Sequence, residues 1–206
     1  MRIFVFSDTH GDCEGVELVL SKSRPDLLIH LGDYVGDAAR IRENYPDIEV
    51  VHVCDGSDDG AIEHEMFINI CGKRIFLAHG EQFSHGKGVT RSDPESEIVT
   101  FALQNHVDIV LYGHTHTPLL SYERGVFVMN PGSALTDSKY GAWPTFGTVE
   151  IFDDNVVAKI LSIEMFRYLL PARQEEILCS TKSNPSTPPT TRTAACSATR
   201  RTCPNI

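Results

Sequence analysis

Paired cysteines, long apolar runs and an excess of basic residues are all missing from this 206-residue chain. Its six cysteines, Cys13, Cys54, Cys71, Cys179, Cys196 and Cys203, form no C-x-x-C pair and no zinc-knuckle spacing, so they read as ordinary reduced thiols. The apolar stretch near the N-terminus, Ile3 to Phe6, is too short for a signal-peptide core or a membrane span, and the expected location is cytoplasmic, with no membrane partner. Lys and Arg total 18 against 28 Asp and Glu, a net charge of −10. That balance excludes a dedicated nucleic-acid binder, which holds phosphate backbones with clustered basic side chains. Any phosphate chemistry must take its positive charge from somewhere other than the protein.

What is present fits one globular domain: 41% hydrophobic and 22% charged residues sit near the averages for folded soluble proteins. Short apolar runs alternate with amphipathic stretches, the pattern of an α/β architecture. Strands are expected at Arg2–Ser7, Asp26–His30, Glu49–Val53, Met66–Ile70, Arg74–Ala78, Asp108–Tyr112, Val126–Met129, Thr145–Ile151 and Val156–Ile160. Helices are expected at Cys13–Ser23, Ala38–Tyr45 and Pro94–His106, the last opened by Ser92 or Asp93 as a cap. Gly72-Lys73 and Asp153-Asp154-Asn155 read as hairpin turns. The domain spans residues 1–168. Residues 169–206 form a Ser/Thr/Pro-rich tail from which no core can be built; from Pro171 onward it carries five Lys/Arg against two Asp/Glu, a net +3 beside −13 for the rest.

Residue types that bind metals recur at the ends of the expected strands. Asp8 and His10 follow the first, Asp33 the second, His79 the Arg74–Ala78 strand, and His114 and His116 the Asp108–Tyr112 strand. In an open α/β sheet the carboxyl ends of parallel strands form the ligand crevice, so these residues are expected to converge. Residues i and i+2 of an extended segment point the same way, which would pair Asp8 with His10 and His114 with His116. Singly, each motif is more often ordinary turn or surface chemistry. Their joint order along the chain is what carries weight.

Asp8-Thr9-His10-Gly11, Gly32-Asp33, His79-Gly80 and Gly113-His114-Thr115-His116 together resemble the ordered signature of the calcineurin-like metallophosphoesterases. The wording of the first and last motifs, and Asn130-Pro131-Gly132-Ser133, is most similar to the small YfcE-like phosphodiesterase branch. The resemblance implies a four-layer α/β-β/α sandwich with a metal pair at the sheet edge. It places Asp8, His10, Asp33 and His116 around one ion, and Asp33, His79 and His114 around the other, with Asp33 as the bridge and Asp33 and His114 as catalytic residues. Mixed imidazole and carboxylate ligation suits Mn²⁺, Fe, Zn²⁺ or Ni²⁺ better than Ca²⁺; two divalent ions are expected, Mn²⁺ first, with Ni²⁺, Zn²⁺, Fe²⁺ or Mg²⁺ as alternatives. Two ions about 3.5–4 Å apart polarise phosphoryl oxygens and lower the pKa of a bridging water, so that hydroxide attacks the ester. The implied activity is hydrolysis of phosphodiesters, with some monoesters, acting on a small phosphate ester; a homo-oligomer is left open.

The chain departs from that pattern at Asp55-Gly56 and again at Glu81, where relatives often have a second His and to which no role is assigned. The family has Gly-Asn after the third strand, the Asn completing the second ion's shell, whereas this chain has Asp55-Gly56. Either Asp55 supplies a replacement carboxylate or the segment is a turn of solvated acids. A carboxylate there would lower the first-shell charge from about +2 to about +1 and weaken Lewis acidity. Ser57 stands where larger relatives carry a His, so substrates with good leaving groups should react best. Two other readings follow: a scaffold or binding protein of the same fold with weakened or lost turnover, and an amide-cleaving metal hydrolase, disfavoured because its His-x-His pair normally follows the first strand of a long barrel. His30, His52, His64 and His106 read as packed or surface imidazoles, His85 as a loop histidine, and Asn130 and Ser133 as residues that shape the loop beside the site.

Overall fold

A computed structural model describes residues 1–55, 63–83, 94–136 and 143–168. In chain order its elements are β1 (Arg2–Phe6), α1 (Glu14–Lys22), β2 (Leu27–His30), α2 (Val35–Asn44), β3 (Glu49–His52), β4 (Glu65–Ile70), β5 (Lys73–Ala78), α3 (Pro94–Gln104), β6 (Ile109–Tyr112), β7 (Leu119–Glu123), β8 (Val126–Asn130), β9 (Thr145–Phe152), β10 (Asn155–Ser162) and α4 (Glu164–Arg167). The strands form two five-stranded sheets, ordered β10-β9-β1-β2-β3 and β4-β5-β6-β8-β7. Within the first, β1, β2 and β3 run parallel; within the second, β5, β6 and β8 do. None of the described helices is long and apolar enough to cross a membrane.

The side-chain alternation of the central strands builds the layers. In β1, Ile3 and Val5 enter the core between the sheets, while Phe4 and Phe6 face the other way. In β5, Ile75 and Leu77 enter that same inner core, and Phe76 and Ala78 face outward. Each outer face is covered by a helical stripe with spacing i, i+3, i+4: Val16, Val19 and Leu20 of α1 over the first sheet, Ile98, Val99 and Ala102 of α3 over the second. Three buried clusters thus correspond to the three interfaces of a four-layer α/β-β/α sandwich, as the family resemblance implies. Strands buried on both faces read as continuous apolar runs, which is why β1, β2 and β6 were legible.

Several expectations need correction. The edge strand β7 was not anticipated: Leu119–Glu123 is half exposed and follows Pro118, so neither composition nor periodicity marks it. Helix α2 starts at Val35 rather than Ala38, because Gly36 and Asp37 read as turn residues yet occupy its first turn. The four-residue α4 is too short to carry a periodic signal. The β4–β5 hairpin turns at Cys71-Gly72, both at positive φ (49° and 77°), one residue earlier than expected. Cys13 and Cys54 are free buried thiols, but Cys71 is disulfide-bonded, so the reading of six reduced thiols does not hold there. The Ser92 or Asp93 cap, His85, Gly56, Ser57 and the tail lie outside the described residues.

Phe146 of β9 is the keystone of the outer cluster on the first sheet. It is fully buried, stacks on Phe6 at 5.1 Å, and meets Phe4 and Phe166 edge-on at 5.3 Å each. Truncation would leave a cavity among three rings. Phe146→Ala is expected to lower unfolding free energy by about 3–5 kcal/mol in guanidinium denaturation; a loss under about 1 kcal/mol would contradict this packing account.

Candidate metal centre

The loops after β1, β2, β5 and β6 bring the chemistry together through unusual backbone geometry. Asp8 (φ 55°), His10 (49°), Asp33 (57°), His114 (68°) and His116 (56°) all lie in the left-handed region. Such conformations are costly for residues with a Cβ and gather where the surroundings enforce them. The residues converge beyond the carboxyl ends of parallel strands, as expected, but the expected reason for pairing i with i+2, alternation along an extended segment, does not hold: tight left-handed turns aim these residues. Asp8 and His10 do serve one cluster, but His114 and His116 part, His116 toward Asp8 and His114 toward His79.

Specific hydrogen bonds hold the turns. The Ser133 hydroxyl donates to the Asp8 carbonyl at 2.8 Å, and the His114 amide donates to both Asp8 carboxylate oxygens at 3.2 Å. Asn130 donates through Nδ2 to the Gly113 carbonyl at 2.7 Å and the Thr115 hydroxyl at 3.0 Å, while its Oδ1 accepts from the Gly132 amide at 2.9 Å. The loop-shaping role read for Asn130 and Ser133 is what these contacts perform. Buried Asp37 accepts the Gly11 amide at 2.8 Å and so fixes the residue after His10. Space matters as much: a Cβ on Gly32 would lie 2.6 Å from His79 Nδ1, and one on Gly113 would collide with the Ser7 hydroxyl and come 3.0 Å from Asp8 Oδ2.

Ligand atoms of Asp8, His10, Asp33 and His116 lie within 4.8 Å of one another. His116 Nε2 is 3.3 Å from Asp8 Oδ1 and 3.9 Å from Asp33 Oδ2, and His10 Nε2 is 3.3 Å from Asp33 Oδ2. On the other side, His79 Nε2 is 3.5 Å from Asp33 Oδ1 and 3.2 Å from His114 Nδ1. His79 Nδ1 donates to the Leu31 carbonyl at 2.8 Å, which leaves the Nε2 lone pair facing Asp33. All six residues singled out from the sequence are thus in one constellation. Asp55, half-buried after β3, joins them by a hydrogen bond to the Asp33 carboxyl.

Electrostatics make this a site for cations. Burial, the hydrogen bond to Asp55 and the nearby Asp8 push the Asp33 carboxyl up to about 8. Burial acts to raise Asp8 as well, but its hydrogen bond and ion pair with His116 hold it below the usual carboxylate range. The same bond raises His116, while burial lowers His10. Among the described residues, the ion-pair partners of Asp8 and Asp33 are histidines, never Lys or Arg. Among the described residues, three carboxyl groups and four imidazoles gathered in this way fit divalent ions that accept both nitrogen and oxygen.

Two contributors escaped the sequence reading. His30 is buried and neutral, pushed down to about 4 by burial; its Nδ1 accepts the Gly32 amide at 3.4 Å, and its Nε2 donates to the Thr9 hydroxyl at 2.9 Å. It ties the Asp8 loop to the Asp33 loop, which only contacts distant in sequence reveal. Asp37 was equally silent in the chain. His52, half-buried, meets Arg42, and His64 meets Cys54, in keeping with structural roles.

The domain described as the calcineurin-like phosphoesterase superfamily domain matches residues 1–154. The chain belongs to that superfamily. The chain is 26% identical over 137 residues to the probable metallophosphoesterase YsnB of Bacillus subtilis, covering 65% of this chain and 75% of the relative. It is 27% identical over 188 residues to the phosphodiesterase YfcE of Escherichia coli K12, covering 79% and 92%. A predicted phosphoesterase of Streptococcus pneumoniae shares the fold with TM-score 0.61 at 23% identity, over 79% of this chain and 90% of that one. So does Vps29 of Entamoeba histolytica complexed with Zn²⁺, with TM-score 0.58 at 22% identity, over 79% and 99%.

A metallophosphoesterase with this constellation must lose protons as it gains metal. Because Asp33 is raised to about 8, its carboxyl is largely protonated at pH 7 and must ionise to bind. Calorimetric titration with Mn²⁺ in buffers of different ionisation enthalpy should show at least about one proton released per protein at pH 7. Affinity should rise with pH and level off above about 8, as the proton is no longer there to displace. Metal binding at pH 7 without proton release would contradict this charge state.

Proposed function

We propose that this protein hydrolyses phosphodiesters, and some phosphomonoesters, at a pair of divalent ions, Mn²⁺ being the first choice. The observation that carries the reading is how Asp33 divides its oxygens: Oδ1 faces His79 at 3.5 Å and Oδ2 faces His10 at 3.3 Å. A carboxylate presenting one oxygen to each of two donor groups is suited to joining two ions. Asp8, His10 and His116 would complete one side, and His79, His114 and Asp55 the other. When bound, the ions supply Lewis acidity toward the phosphoryl oxygens and activate water.

The chain's own residues set the conditions for that chemistry. The Leu31 carbonyl fixes the tautomer of His79, and the His114 amide orients Asp8. Gly32 and Gly113 keep the approach of the loops close enough for His79 and Asp8 to face Asp33. No Ser or Cys nucleophile is required. The names of YfcE and YsnB, both phosphoesterases, and the Zn²⁺ complex of Vps29 lend support.

A second reading, a phosphate- or protein-binding relative with weakened turnover, is favoured by Asp55. A third carboxylate beside Asp33 reduces the positive charge offered to a phosphate. Chelator-stripped protein, reloaded with Mn²⁺, should hydrolyse bis-p-nitrophenyl phosphate, and His114→Ala or Asp33→Asn should reduce the rate roughly 100-fold or more. Absence of turnover with Mn²⁺, Ni²⁺, Co²⁺ or Zn²⁺ in folded protein would favour the binding reading.

A further inference from the structure

Tyr34 follows Asp33 directly and caps α2 with φ 88° and ψ 88°, far from the ordinary left-handed minimum near +57°, +47°. A bulky residue at such angles is strained; its carbonyl accepts the Asp37 amide at 3.1 Å, but its side chain makes no capping bond and the residue is 60% exposed. Glycine would serve the turn better. What the strain does secure is the position of the ring. Tyr34 lies against Gly11 and Gly36, where a Cβ would come 3.8 Å and 3.2 Å from its Cε1. Gly11 follows His10, so the ring stands against the loop that carries one group assigned to an ion, and Tyr34 itself follows another, Asp33, in the chain.

That flank is also the open side of the site. The His10 side chain is 36% exposed, against 19% for His116, 16% for Asp33, 3% for His79 and 0% for Asp8, so on the phosphoesterase reading the His10 side is where a phosphate ester would approach. An exposed aromatic face beside the entrance offers π-stacking and an apolar surface to whatever substituent the phosphate carries. We propose that Tyr34 is a specificity residue that seats a planar aromatic substituent, a nucleobase or an aryl group, of the phosphate ester. The assignment rests on the phosphoesterase reading for the placement of phosphate, and it adds the class of ester preferred.

The test is the equilibrium binding of methyl phosphate, phenyl phosphate and thymidine 5′-phosphate to Mn²⁺-loaded protein, with Tyr34→Gly and Tyr34→Phe beside the parent. Tyr34→Gly removes the ring and relieves the positive φ, so it should fold at least as well as the parent, with methyl phosphate affinity as its internal control. The parent should bind one or both aromatic esters more tightly than methyl phosphate. Tyr34→Gly should erase that advantage, about 5- to 150-fold, while Tyr34→Phe retains it. Preference for the thymidine ester alone would identify a nucleobase, and equal preference would identify any planar ring. Equal affinities for all three, or an advantage that survives Tyr34→Gly, would overturn the proposal. Tyr34-dependent binding without turnover of bis-p-nitrophenyl phosphate would sink the phosphodiesterase reading and leave this one standing.

Discussion

The mutual repulsion of Asp8, Asp33 and Asp55 is the constraint around which the rest is arranged. Carboxylates do not gather unless protons or cations neutralise them, and here Asp33 responds by holding its proton up to about pH 8. Among the described residues, histidines rather than Lys or Arg pair with Asp8 and Asp33, which suits the site to taking its positive charge from cations. An acidic protein can in this way attract a phosphate: the attraction belongs to the ions and not to the surface. The departure at Asp55 then becomes a question of degree, since an extra carboxylate tightens the hold on cations while reducing the charge they present to an ester.

Fold and site are coupled through strain. Two sheets packed face to face through Ile3, Val5, Ile75 and Leu77 give a rigid base, and helices bury their outer faces. At one end of this base the loops are forced into left-handed turns at five of the six expected ligands. The energy that enforces them comes from the packed core and from the bonds of Asn130, Ser133, Asp37 and His30. The ligand loops are thereby braced by the chain's own packing and hydrogen bonds.

Much of this was legible in the chain because its signals are local. Doubly buried strands announce themselves as apolar runs, and Asp8-Thr9-His10 or His114-Thr115-His116 stand out as ligand types bracketed by glycines. Their convergence follows from the ends of parallel strands, but their pairing by extended alternation does not hold, since extended alternation and left-handed turns both let i and i+2 cooperate and sequence spacing does not separate them. The split of His114 from His116 came from family resemblance, not from spacing. What stayed hidden depends on contacts distant in sequence or on exposure: His30 behind Thr9, Asp37 beneath Gly11, the edge strand β7, and the strained ring of Tyr34.

Sharing of Asp33 between two ions is the central claim, and diffraction from Mn²⁺-loaded crystals, recorded with anomalous scattering from the metal, tests it most directly. The account predicts two anomalous peaks about 3.5–4 Å apart with Asp33 between them, His10 and His116 beside one and His79 and His114 beside the other. A single peak, or two peaks with Asp33 bound to only one, would contradict it.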